Sequence, residues 1–211
     1  MRFTPVSPDR LARAIADRVA TGRSVVVGID GDPAIGAGEL ADRVAEAVRA
    51  GGRQVIRADL SDWWRPASVR LEYGHEDVDS LLDAWVDVGA LDRELLVPLR
   101  EGRPIRVRNW DALADRAFRE AAVDVAPTAV LVLAGAFLGR VVPDADLTVQ
   151  LQVKESTLRR LLPGDRGWWL EGHRLDREQR SLSGDPVGPD RMVVSYDHPA
   201  APAIGDALPI G

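Results

Sequence analysis

Residues 25–40 read Val-Val-Val-Gly-Ile-Asp-Gly-Asp-Pro-Ala-Ile-Gly-Ala-Gly-Glu-Leu, and they constrain the fold more than any other segment. The apolar run has no polar alternation, which predicts a strand buried on both faces. The glycine-rich turn then feeds straight into an amphipathic helix that carries Leu40, Val44 and Val48 on one face. Such a turn can curl backbone N–H groups round an anion, and the positive end of the helix dipole strengthens the attraction. Gly31 and Gly36 have the spacing of the phosphate-binding pattern G-x-x-x-x-G-K-[ST]. Lysine and a hydroxyl residue should follow, but Ala37 and Gly38 stand there, and Glu39 sets a carboxylate on the first helical turn. The candidate cradle is therefore Gly31, Asp32, Pro33, Ala34, Ile35, Gly36, Ala37 and Gly38, without its cation. A plain strand–helix connection is the competing explanation, with Glu39 an ordinary acidic residue at a helix start.

The rest of the chain alternates strands and helices. Ser7-Pro8-Asp9 is a helix start with serine as cap, and Leu11, Ile15 and Val19 follow at four-residue spacing. Strands are predicted over 24–29, 54–58, 129–134, 147–153 and 192–195, and helices over 40–50, 77–99 (broken near Gly89) and 155–162. Residues 100–108 suit a loop with a small hairpin or edge strand, and 163–189 are rich in glycine, charge and tryptophan. This order implies a mainly parallel sheet with helices on both faces, a three-layer α/β fold. A length of 211 residues suits one domain spanning the chain, with a lid-like segment at about 155–189.

Composition excludes several classes. The chain has no cysteine, so disulfides, thiolate metal sites and cysteine nucleophiles are ruled out. His75, His173 and His198 lie far apart and show no metal-ligand spacing, so no metal site is expected. A net charge of −6 with interspersed signs argues against a nucleic-acid partner. No run approaches the roughly 18–20 apolar residues of a membrane span, and the first residues lack an apolar leader segment. A cytoplasmic location without a membrane partner is therefore expected.

Further blocks carry a resemblance. Asp62-Trp63-Trp64-Arg65-Pro66, the segment 70–77, Asn109-Trp110-Asp111, the strand region 126–138, Asp146-Leu147-Thr148-Val149 and Ser195-Tyr196-Asp197-His198-Pro199 occur in family order. Together they resemble an actinobacterial uridine kinase-like protein of the P-loop kinase (NTPase) superfamily, with a degenerate Walker A motif. The resemblance implies five parallel strands in the order 2-3-1-4-5. It implies a nucleoside or nucleotide as ligand, with ATP and Mg²⁺ as cofactors if the protein is active. Carried over, Ala37 and Gly38 replace the phosphate-binding lysine and the Mg²⁺-binding hydroxyl, Ser61 replaces the base, and Ala134 replaces the Walker-B acid. Asp62 is the remaining carboxylate beside the lost base and the residue implied for catalysis. Trp64, Arg65, Tyr73, His75 and Trp110 would shape the acceptor pocket, and Arg159, Arg160 and Arg166 would act as lid arginines.

Phosphoryl transfer depends on positioning and electrostatic stabilisation. Losing one preorganised charge typically costs about 10²–10³ in rate, roughly 3–4 kcal/mol. Asp30, Asp32 and Glu39 would further repel a triphosphate. The expected protein keeps a nucleoside-sized cleft with phosphotransfer lost or much reduced. One alternative is an active uridine or cytidine kinase, an ATP-dependent transferase whose missing lysine is supplied by an arginine of 159–166. Another is a non-catalytic partner-binding or regulatory protein, with a cleft filled by its own side chains and a possible homodimer face. For each tryptophan, packing competes with ligand stacking. For each lid arginine, a solvated helix face competes with phosphate contact.

Overall fold

The computed structural model describes residues 2–182 and 191–205. Phe3–Pro5 forms a short strand, β1, and Ser7 caps helix α1 (Pro8–Ala16) by accepting a hydrogen bond from Arg10 N at 3.3 Å. The valine run becomes β2 (Val25–Asp30), buried at every position. Helix α2 (Ala37–Ala50) buries Leu40, Ala41, Val44, Ala45 and Val48, as its spacing dictates. Strand β3 (Val55–Asp59) leads through a turn into the one-turn helix α3 (Ala67–Arg70). Helices α4 (Val78–Asp83), α5 (Val88–Leu91) and α6 (Val97–Glu101) follow, then the hairpin strands β4 (Trp110–Asp111) and β5 (Arg116–Ala117). Strand β6 (Val130–Gly135), helix α7 (Leu138–Val141), strand β7 (Leu147–Gln152) and helices α8 (Glu155–Leu161) and α9 (Trp169–Leu182) precede β8 (Arg191–Ser195) and β9 (Ala203–Gly205).

β2 lies between β6 and β7, with Ile29 opposite both Ala134 and Val149; β3 pairs with β6 and β8 with β7, all parallel. Counting these five alone, the order is 2-3-1-4-5. The sheet nevertheless has seven strands among the described residues, not five. β9 runs antiparallel to β8, and β1 runs antiparallel to β9. Each added strand has three residues, too few for an alternation signal; the open edge of β8 templates them. Val27, Ile29 and Val132 face a core built with α1 and α2, whereas Val26, Leu131 and Leu133 face Leu91, Leu95, Leu96 and Leu99. Helical layers on both faces explain why the central strands are uninterrupted apolar runs.

Three local expectations give way. The helix over 77–99 is broken earlier than Gly89, because Asp87 N donates to Trp63 O at 2.9 Å and the Asp87 carboxylate then caps α5 through Ala90 N at 2.9 Å. The chain next passes through a π-turn at Asp92–Leu96 just ahead of Pro98, which has no N–H to continue a regular ladder. The hairpin is at 110–117 rather than within 100–108, where Ile105 makes an isolated bridge to Val123. The stretch 163–189 contains the 14-residue helix α9, and residues 183–190 lie outside the described part. Among the described residues no helix is long and apolar enough to cross a membrane.

Candidate functional site

The glycine loop emerges from β2 and closes on itself. Asp32 is 1% exposed, and its Oδ1 accepts from Ala34 N at 2.8 Å; Ile35 N donates to Asp32 O and Gly36 N to Pro33 O. Gly31 N donates to Gly135 O at 3.0 Å. Gly36 takes a left-handed conformation (φ 89°) that starts α2, a backbone setting suited to glycine. Four loop N–H groups that could have cradled phosphate are thus satisfied internally. A second register also fits the chain: Gly38-Glu39-Leu40 can be set against Gly-Lys-Ser/Thr, and it too lacks the cation.

Helix α9 lies across the loop and the C-terminal end of β2. Arg180 Nη2 contacts Asp30 Oδ2 at 2.8 Å, and Arg180 Nε donates to Asp176 Oδ2 at 2.8 Å. Asp30 also accepts from Leu138 N at 3.0 Å and Gly139 N at 3.2 Å. His173 Nε2–H donates to Asp32 Oδ2 at 3.0 Å, and its ring lies 4.6 Å from that of Phe137. Burial pulls Arg180 down, but the Asp30 and Asp176 carboxylates outweigh it and leave its pKa raised. Burial raises Asp176, with Arg180 opposing it and Asp30 adding to it. Asp176 Oδ1 and Arg140 Nε are buried without a hydrogen-bond partner, although the two side chains lie 3.7 Å apart. Phe137, beside this cluster, holds a left-handed backbone (φ 59°), a strained setting for a bulky residue.

These residues do not fit Mg²⁺·ATP. The carboxylates at the loop already bind Arg180 and His173, the N–H groups of Gly31, Ala34, Ile35 and Gly36 are engaged, and buried Ala134 supplies no ligand. Among the described residues no group of three His, Asp or Glu side chains converges as a metal ion requires.

The other side of the loop is open. A narrow cleft of about 60 Å³ is walled by Ala37, Gly38, Asp59, Ser61, Trp64, Trp85, Ala134 and Trp169. It adjoins a wider, more polar recess of about 680 Å³ that includes Ser61, Asp62, Trp64, Arg70, His75, Asp111, Arg166 and Trp169. The shared wall is an aromatic cluster: Trp64 and Trp85 stand edge-on at 5.0 Å, and Trp169 lies 6.0 and 5.6 Å from them. Asp62 titrates at about 6, raised from 3.8 by burial, then by Asp59 and Asp111, with Arg108 and Arg57 opposing. That value suits a proton acceptor near neutral pH.

The sequence-derived residues divide in space. Gly31, Asp32 and Ile35 border the α9 side of the loop, and Pro33, Ala37 and Gly38 border the narrow cleft; Ala34 and Gly36 line neither. Trp64, Asp62, His75 and Arg166 meet in the recess. Tyr73 is 74% exposed, Arg65 N donates to Trp85 O, and Trp110 Nε1 donates to Asp115 on the hairpin; none of the three lines either cavity. Arg159 is paired with Glu155 on the surface, and Arg160 is exposed beside it. The guanidinium nearest Gly38 is that of Arg57, and it is held by Asp42 and Asp59. Trp63 is fully buried core, while Trp85 is buried yet borders both cavities. Sequence reasoning missed Arg70, Asp176 and Arg180 and gave His173 no role here; the three on α9 carry no motif beyond their own helical spacing.

No family model and no curated protein matches the chain. Solved structures do. A possible uridine kinase from Bacillus stearothermophilus superposes with a TM-score of 0.65 at 21% identity, over 87% of this chain and 96% of that one. The YGR205w protein superposes with a TM-score of 0.64 at 10% identity, over 95% and 100%. At these identities the likeness establishes the fold, the α/β fold of P-loop kinases.

Proposed function

We propose that this chain is a uridine-kinase-like protein that keeps a nucleoside-sized cleft and has lost, or greatly reduced, phosphotransfer. One observation carries the reading. Helix α9 seats Arg180 on Asp30 and His173 on Asp32, where the fold would otherwise receive a triphosphate, while the acceptor side stays open beside it. The missing lysine, hydroxyl, base and Walker-B acid act in the same direction, since each removes charge stabilisation from one centre. In the cleft, Trp64, Trp85 and Trp169 offer an apolar wall for a base, and Asp62 and Ser61 offer polar groups for a sugar. The fold of the possible uridine kinase is consistent with such an acceptor.

A second reading has one observation in its favour. The Arg57 guanidinium lies beside Gly38 at the start of α2, so a substitute cation is within reach of the loop. Its pairing with Asp42 and Asp59 weighs against that role.

Labelled phosphate transfer from Mg²⁺·ATP to a nucleoside mixture, run beside Asp62→Ala, tests the choice. No transfer above the variant's background is expected. Product that vanishes in Asp62→Ala would refute the loss of catalysis and make the chain a working kinase.

A further inference from the structure

Arg70 is buried with its charge unmatched. It closes α3, is 7% exposed, and its guanidinium carbon lies 5.4 Å from the Trp64 ring centre and 5.0 Å from that of Trp85. Nε donates to Arg65 O at 2.7 Å, and neither Nη has a hydrogen-bond or ion-pair partner among the described residues. The Nη groups are not among the sealed, unpartnered atoms of the interior, and Arg70 itself walls the polar recess. Burial pulls this guanidinium below its ordinary value, and Asp115 opposes that only in part. The Asp115 carboxylate is itself engaged by Ala67 N at 2.8 Å and Trp110 Nε1 at 3.1 Å. A buried cation short of acceptors is unfavourable unless something pairs with it.

Arg166 repeats the arrangement on another indole of the recess. Its guanidinium lies 5.1 Å from the Trp169 ring centre, it borders the same recess, and it too lacks an ion-pair partner among the described residues. Indole faces hold both guanidiniums in position, leaving planar donor forks open to a ligand.

We propose that the cleft takes an anionic ligand, a phosphate monoester on a nucleoside-sized body, gripped by the Nη groups of Arg70 with Arg166 on the same group. The proposal rests on the nucleoside-cleft reading above and adds the charge of the ligand. Two forks facing one space favour a phosphate, whose oxygens can accept from both, over a carboxylate. Asp62, Glu76, Asp111 and Asp165 also line the recess, so the phosphate is confined to the two guanidiniums and hydroxyl donors go to the carboxylates. The body lies in the same recess, of about 680 Å³, against Trp64, Trp85 and Trp169.

Isothermal titration calorimetry of the whole chain separates the possibilities, using uridine 5′-monophosphate, uridine, a uridine 5′-carboxylate and ribose 5-phosphate. The monophosphate is expected to bind about 10- to 100-fold more tightly than uridine, as charge-assisted hydrogen bonds to a buried arginine predict. Arg70→Met should abolish that gain. Arg70→Lys, which keeps charge and bulk but not the fork, should retain part of it, with melting curves showing that both variants are folded. Equal affinity for monophosphate and uridine, or a gain that survives both substitutions, overturns the proposal and leaves the nucleoside reading standing. Ribose 5-phosphate bound through Arg70 without any uridine binding upholds the grip and refutes the nucleoside reading. A carboxylate as tight as the phosphate overturns the phosphate assignment, and no binding of any of the ligands overturns the whole.

Discussion

Asp62 offers a stability test that needs no ligand. Its carboxyl titrates at about 6 in the folded chain instead of 3.8, chiefly through burial, then through Asp59 and Asp111. The folded state therefore holds the proton more tightly than the unfolded one. Stability is lost as pH rises from about 4 to about 6, and the loss is complete above that. Fully expressed, that difference would amount to about 3 kcal/mol without screening. Asp62 is only partly buried and faces an open recess, so solvent reduces this to about 1 kcal/mol. Asp62→Asn keeps the shape and removes the titration. It should therefore be more stable than the parent at pH 8 by about 1 kcal/mol, a rise in Tm of about 2–4 °C for a chain of this size. At pH 4 the two should melt together. Thermal melts followed by circular dichroism at both pH values provide the measurement. An equal shift at pH 4 and pH 8, or a less stable variant at pH 8, would show that the carboxylate is not held in a desolvated, like-charged setting.

Other substitutions probe the packing round the cleft. In Gly135→Ala the new Cβ would lie 2.4 Å from Leu60 Cβ, so β6 must shift; a loss of about 1–3 kcal/mol is expected in denaturant melts, and an unchanged midpoint would contradict the close approach. Trp169→Ala opens a cavity where four aromatic neighbours meet, and should cost about 3–5 kcal/mol together with most of the near-UV dichroism. Asp30→Ala leaves Arg180 with Asp176 alone and should cost about 3 kcal/mol at neutral pH, whereas Asp30→Ala in an Arg180→Met background should cost much less; equal losses would deny the coupling.

The five parallel strands were legible because a strand covered on both faces must be apolar at nearly every position, as in 25–29 and 130–134. The edge strands were not: three residues cannot show a period, and their partner is 200 positions away in β1's case. Helix α9 was hidden for a different reason. Its buried face is Trp169, Gly172 and Asp176, with His173 and Arg180 beside them, at helical spacing but mostly polar. Hydrophobic periodicity cannot report a face that is matched by charge. The residue types at Ala37, Gly38 and Ser61 could be read from the sequence, while the groups engaging the loop could not. Arg70 left no signal, since nothing in Val69-Arg70-Leu71 distinguishes a buried arginine from a surface one.

The seating of α9 reverses the polarity of the centre. Loops of this geometry ordinarily present positive potential to a negative guest. Here Asp30 and Asp32 present negative potential, and the guest is a side chain of the same molecule, delivered more than 140 positions later. Ala37→Lys alone would therefore place a cation beside carboxylates that are already paired with Arg180 and His173. Freeing those carboxylates would take the detachment of a whole helix together with its tryptophan anchor, so the pairing is held by architecture rather than by any one residue.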